Sequence, residues 1–312
     1  MKKNVYLYFA GKLILLLLIV FLLDFSIGSI LRYFYFKQET GRQFRATNAI
    51  EKTTADVLIF GSSRAYHHYV PSIMEDSLKH SCYNTGSPGQ FILYNYATLQ
   101  AVLKRYSPKL IVFDVSTGDL SEGKESYDRL SFLLPYYKDH PEIRSVVELK
   151  GPLEKYKLIS SIYPFNSAFL MITGGNMSYF KEKSVDMKGY KPLERNWNKP
   201  LNIRSPETYK LDTIKEKIFL SFIEDCRNAG SKLLLVCSPN FVKYDKPDYS
   251  IAVMKKYALN KNITFLDFTN DTCFINHPDL FDDPGHLNAA GSVIFTKKII
   301  DSIHVKTDLK FQ

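Results

Sequence analysis

Two short stretches, far apart in the chain, carry the side chains needed for acyl-transfer chemistry. Gly61-Ser62-Ser63-Arg64 follows the apolar run Val57-Leu58-Ile59-Phe60, so a serine hydroxyl falls at a turn from strand to helix. Open α/β sheets bind and transform ligands at that edge, outside the carboxyl ends of their strands. A serine there also suits a helix N-cap or a phosphate-cradling turn. The second stretch, Asp282-Asp283-Pro284-Gly285-His286-Leu287-Asn288, sets a carboxylate three residues before an imidazole. Pro284 and Gly285 make a turn, which lets Asp283 hydrogen-bond one ring nitrogen of His286, fix its tautomer and leave the other nitrogen as base. A serine nucleophile needs such a base and such an orienting acid. The plainer reading makes Asp283 a turn former and His286 a surface or capping residue. Between the two lies Asn84-Thr85-Gly86-Ser87-Pro88-Gly89-Gln90, either a simple βα loop or a turn whose N–H groups aim at the same sheet edge.

These residues need a scaffold, and the apolar pattern supplies one. Runs at 56–60, 81–84, 109–115, 232–237 and 263–267 are rich in Val, Ile, Leu and Phe without strict alternation, as in strands covered on both faces. Helical spacing is expected over 70–79, 91–106, 206–228, 250–259 and 289–303. Strands separated by helices imply a parallel sheet with right-handed crossovers. Residues 116–205 interrupt the rhythm with prolines, tyrosines, the pair Gly174-Gly175 and the single tryptophan, Trp197. They read as an inserted helical cap or lid.

The N-terminus contains an unbroken apolar run at 13–23, extended past Asp24 by the weaker run 25–31. Together they approach the roughly 20 residues needed to cross a bilayer. Lys2, Lys3 and Lys12 precede the run and favour a cytoplasmic N-terminus. Residues 1–35 are therefore expected to be an uncleaved signal-anchor helix, with a cleaved signal peptide as the alternative. Residues 36–55 are expected to be a tether, and 56–305 the folded domain on the extracytoplasmic side. The formal charge of +9 points to an anionic membrane surface or acidic polymer. Nucleic acid is not expected, because Lys and Arg are scattered rather than gathered in a stripe. Cys82, Cys226, Cys237 and Cys273 match no zinc spacing, and neither a metal nor a cofactor is expected. No Lys follows the Gly-Ser-Ser turn as a Walker loop requires, and no Gly-x-Gly-x-x-Gly occurs.

In order and spacing, from Asp56 to Ile303, the chain resembles the SGNH (GDSL-like) hydrolase superfamily. The resemblance implies a flavodoxin-like three-layer α/β/α fold with a five-stranded parallel sheet of order 2-1-3-4-5. It makes Ser63 the nucleophile, with Ser62 in place of the usual aspartate of the first block. It makes Asp283 and His286 the acid and base, and assigns the oxyanion hole to the N–H groups of Ser63 and Gly89. One block departs: where the family has an asparagine after the third strand, this chain has Ser116-Thr117-Gly118-Asp119. Loss of one oxyanion donor typically costs about 10²–10³ in rate, so Ser116, Asn240 and Arg64 are candidate replacements. The Gly-Ser-Ser block and the anchor resemble the membrane-tethered branch active in polysaccharide O-acetylation and D-alanylation. That branch implies an ester hydrolase or O-acyltransferase working on an acylated envelope glycan, with a membrane-bound acyltransferase as a partner. The alternative is an inactive scaffold or glycan-binding protein that keeps the fold.

Overall fold

The computed structural model of the protein describes residues 2–177 and 187–306; residues 178–186, part of the expected 116–205 insertion, lie outside the described residues. The chain divides into two compact units, one built from residues before 45 and from 130 onward in the insertion, the other from 45–129 and the C-terminal part.

The larger unit holds five strands, β1 (Val57–Gly61), β2 (Cys82–Asn84), β3 (Leu110–Asp114), β4 (Lys232–Cys237) and β5 (Thr264–Asp267). They form one sheet in the order β2-β1-β3-β4-β5, every neighbouring pair parallel. This is the flavodoxin-like order, and the five strands fall on the five apolar runs read from the sequence. Parallel strands need crossovers, and helices supply them. The helices α2 (Ser63–His68) and α3 (Pro71–Leu78) lie between β1 and β2, α4 (Ile92–Arg105) between β2 and β3, and the helices Thr213–Asn228 and Tyr249–Asn260 before β4 and β5.

Alternation along the strands decides which face each side chain serves. Val57, Ile59, Leu110, Val112, Leu234, Val236 and Leu266 form one buried cluster with Met74 of α3 and with Phe295 and Ile299 of the C-terminal helix. The intervening Phe60 and Phe113 point the other way, onto Phe222 in the helix Thr213–Asn228, with ring centroids 5.6 and 4.6 Å away. Both faces are thus covered, which explains the continuous apolar runs. Cys82, Cys226 and Cys237 are buried free thiols, as expected of cysteine used as a small apolar side chain.

Residues 36–55, expected as a tether, hold the helix Gly41–Thr47 and the π-helical turn Asn48–Lys52, where Ala49 and Ile50 are buried. Arg105 ties this turn down by donating to the carbonyls of Thr53 (2.8 Å) and Ala49 (3.3 Å).

The smaller unit contains α1 (Lys2–Phe36), whose stretch Val5–Phe36 is long and apolar enough to cross a membrane. Short helical turns between residues 130 and 177 pack beside its second half. Tyr35 meets Tyr136 and Phe165 with ring centroids 6.0 and 5.7 Å apart.

Candidate active site

The Gly-Ser-Ser turn is shaped by backbone constraints before any chemistry enters. Gly61 ends β1 with φ +145°, and a Cβ there would lie 2.8 Å from both the Ala65 Cβ and the Asp114 carbonyl oxygen. Only glycine accepts that combination. The Gly61 N–H, at the last residue of β1, donates to Asn95 Oδ1 at 3.0 Å. Ser62 is the N-cap residue of α2 and Ser63 its first residue, so Ser63 falls at the carboxyl end of β1.

The partner motif folds as a small hairpin of Phe281–Asp283 with His286–Leu287. Asp283 Oδ1 accepts the Gly285 N–H at 2.7 Å, so the carboxylate does shape the turn. It also holds His286: ring Nδ1 lies 2.9 and 3.0 Å from the two carboxylate oxygens. With its proton on Nδ1, the imidazole presents the Nε2 lone pair to Ser63 Oγ at 2.7 Å. The Asp283 carboxylate thus bonds both the backbone of its own turn and the imidazole. Partial burial pushes the Asp283 carboxyl up, but the His286 hydrogen bond and charge and the Gly285 N–H outweigh it and hold the group below the usual carboxylate value.

Residues around the hairpin fix its position. Arg195 donates from its guanidinium to Asp282 Oδ2 (3.1 and 2.8 Å) and from its backbone N–H to Oδ1 (2.9 Å). Asn288 binds the Asp279 and Arg195 carbonyls and accepts the Gly291 N–H at 3.0 Å, which caps the helix Ala289–Lys306. The fully buried His68 accepts the Leu287 N–H on Nε2 at 3.0 Å, so its Nδ1 carries the proton and donates to Ser238 Oγ at 3.1 Å. Burial, with the nearby charges of His286 and Arg64, pushes its imidazolium form well down in pH. His67 donates from Nδ1 to the Lys191 carbonyl (2.7 Å) and sets its ring edgewise to His286, centroids 5.5 Å apart. Burial above all lowers it to about 4, so both neighbours of the site stay neutral at physiological pH. Sequence reasoning passed over Asn95, His67, His68 and Arg195. His67 did carry a signal, since it stands four residues after Ser63 and shares its helix face.

Of the replacement donors, Ser116 lies at the turn, its Oγ 3.3 Å from Ser62 Oγ. Arg64 is buried below the turn, donating to the Val115 carbonyl (2.7 Å), Ser116 Oγ (3.1 Å) and the Ser238 carbonyl (3.4 Å), with Asp114 at 3.8 Å. Its hydrogen bonds are committed to the scaffold, which makes it a support for the turn. Asn240 is buried, and its Oδ1 has no hydrogen-bond partner among the described residues. Gly89 adopts φ +68° with the Arg129 guanidinium where a Cβ would stand. Neither hydrogen-bonds to Ser63 or His286 among the described residues. Asp119 accepts the Ser116 N–H at 2.7 Å. Burial pushes its carboxyl up to about 7, against the opposing pull of that N–H and of Arg64.

No protein-family model matches the chain, and no curated protein does. Among solved structures it is similar to a "putative acylhydrolase" of Bacteroides fragilis, at 14% identity and a TM-score of 0.44, over 86% of this chain and 98% of that one.

Two outcomes follow from this geometry. His68→Ala removes the acceptor of the buried Leu287 N–H, an unpaired group worth about 1–3 kcal/mol; urea denaturation of the full-length protein in detergent will show a loss of that size. Asp119 has a raised folded pKa, so between about 4 and about 7 the folded state binds more protons than the unfolded one. Its contribution to stability therefore declines as pH rises through that window and is constant above it. Asp119→Asn will flatten that part of a Tm-against-pH profile, and an unchanged slope would contradict the assignment.

Proposed function

We propose that the protein is a membrane-anchored serine acylhydrolase or O-acyltransferase of the SGNH kind, with its α/β domain on the extracytoplasmic side. The observation that carries the reading is the unbroken hydrogen-bonded line from Ser63 Oγ through the His286 ring to Asp283, at 2.7 and 2.9 Å. Ser63 attacks an ester carbonyl while His286 Nε2 takes its proton. Asp283 keeps the imidazole oriented and stabilises the imidazolium. The tetrahedral oxyanion is met by the N–H groups of Ser63 and Gly89, with Ser116 in place of the absent asparagine. Collapse of that intermediate releases the alcohol, which receives the proton from His286 and leaves an acyl-Ser63. Water or a sugar hydroxyl, deprotonated by the same nitrogen, then takes the acyl group.

The basic charge of +9, the apolar N-terminal helix and the lysines before it support an anchored enzyme acting on acylated glycan at the cell envelope, with a membrane-bound acyltransferase as acyl source. Full-length wild type in detergent is expected to hydrolyse p-nitrophenyl acetate, and Ser63→Ala to lose about 10³-fold or more in kcat/KM, as nucleophile removal does in serine hydrolases. Equal turnover by the two proteins contradicts the reading, and a wild type with no turnover favours an inactive, glycan-binding scaffold.

A further inference from the structure

The second half of α1 carries a feature that a bare membrane anchor would not. Asp24 lies in the middle of its apolar stretch, and a carboxylate within hydrocarbon is costly unless it is partnered. Here the partners come from one turn of the same compact unit. Ser160 Oγ donates to Asp24 at 2.5 Å, the Ser161 N–H at 2.6 Å and the Ile162 N–H at 3.3 Å. One helical turn further on, a Cβ on Gly28 would run into the Ser161 backbone, so the glycine is what lets the turn lie flat on the helix. The 160–162 turn is thereby fixed to α1 at the level of Asp24–Gly28.

The charges that bracket the apolar stretch set that level. Lys12 precedes residue 13 and Arg32 follows residue 31, and the 19 residues between them rise about 28 Å, one hydrocarbon thickness. Arg32 is paired with Asp139 at 2.5 Å at a half-exposed position, as suits the water boundary. Asp24 then stands about 10 Å inside that boundary, seven residues at 1.5 Å each. Because α1 is a continuous helix, whatever is bonded to Asp24 sits at that depth too.

The segment leading into the turn is built for such a place. Ile159, next to Ser160, is 76% exposed, and Tyr156 and Leu153 are exposed on the preceding turn. Its one carboxylate, Glu154, is withdrawn from the surface and bound by Tyr163, Lys150 and Lys157. Ser160 and Ile159 send their N–H groups to the Lys157 and Tyr156 carbonyls, so these donors are satisfied within the segment, as hydrocarbon requires. Lys155, stacked by Tyr156 with its Nζ 5.0 Å from the ring centroid, and Lys138 supply positive charge suited to anionic headgroups.

We propose that residues 153–162 form a membrane-embedded collar: they enter the leaflet on the domain's side, beside α1, and cover Asp24 while Leu153, Tyr156 and Ile159 face lipid acyl chains. This rests on the anchor reading above and adds to it a second, monotopic contact that fixes the smaller unit against the bilayer. Interfacial elements of this type sink about 5–10 Å into the headgroup–acyl boundary, which matches the depth of Asp24.

The test uses the full-length protein with Cys273→Ser, reconstituted in phosphatidylcholine–phosphatidylglycerol vesicles. Cys82, Cys226 and Cys237 are buried and are left in place, and one added cysteine carrying a nitrobenzoxadiazole label is placed in turn at Leu16, Ile159 and Leu259. Leu16 and Leu259 are both exposed, the latter in the larger unit. Replacing part of the lipid with chains brominated near the headgroup is expected to quench the Leu16 and Ile159 labels by roughly half, as burial in that layer implies, and to leave the Leu259 label unchanged. Quenching at 16 without quenching at 159 overturns the collar and keeps the anchor. A label at 159 shielded from aqueous iodide yet untouched by bromolipid also overturns it, in favour of a protein partner. No quenching at 16 removes the anchor reading, and the collar with it.

Discussion

The 2.7 Å hydrogen bond between Ser63 Oγ and His286 Nε2 joins residues 223 positions apart, and much of the larger unit exists to make that distance possible. On one side stands β1, buried in the middle of a parallel sheet, with Gly61 at a φ that only glycine tolerates without strain. On the other stands a two-residue strand whose register depends on His68, Arg195 and Asn288. A shift of an ångström at either support would separate the pair, because neither side chain is long enough to follow. The neutral His68 is central: it accepts a backbone N–H from the residue after His286 while belonging to the helix that begins at Ser63. One imidazole thus ties the two halves of the site directly to each other.

The electrostatics below the turn follow from the same economy of space. Arg64 is buried one residue past the proposed nucleophile, but its donors go to the Val115 and Ser238 carbonyls and to Ser116, at the ends of β3 and β4. Its charge faces Asp114 and Asp119 in the interior, so it acts on the site by holding three strand ends together. The third-block asparagine of SGNH hydrolases has no direct counterpart here. Ser116 lies beside the turn, and its hydroxyl is shared between Arg64 and Ser62.

Much of this was legible in the residues. The five strands were readable because sheets covered on both faces leave continuous apolar runs. The trio Ser63, Asp283 and His286 was readable because a serine at a strand end and an Asp-x-x-His before a last helix are local patterns in a fixed order. The supports were not. Asn95 serves Gly61 from a neighbouring helix, and Arg195 braces Asp282 from within a proline-rich stretch, so neither has a sequence period to reveal it. Residues 36–55 looked like a polar tether, yet Ala49 and Ile50 are buried and Arg105 binds the turn that holds them. Asp24 interrupts the apolar run, and its partners come from the remote turn 160–162. In each case the partner is remote in sequence, and only the folded chain supplies it.

The proposed chemistry requires Ser63 to be an activated nucleophile. The most direct measurement is covalent labelling of the full-length protein with a fluorophosphonate, followed by intact mass and peptide mapping. One adduct per chain, located on Ser63 and lost in His286→Ala, is the predicted result. An unlabelled wild-type protein, or an adduct on Ser62 or elsewhere with Ser63 untouched, would contradict it.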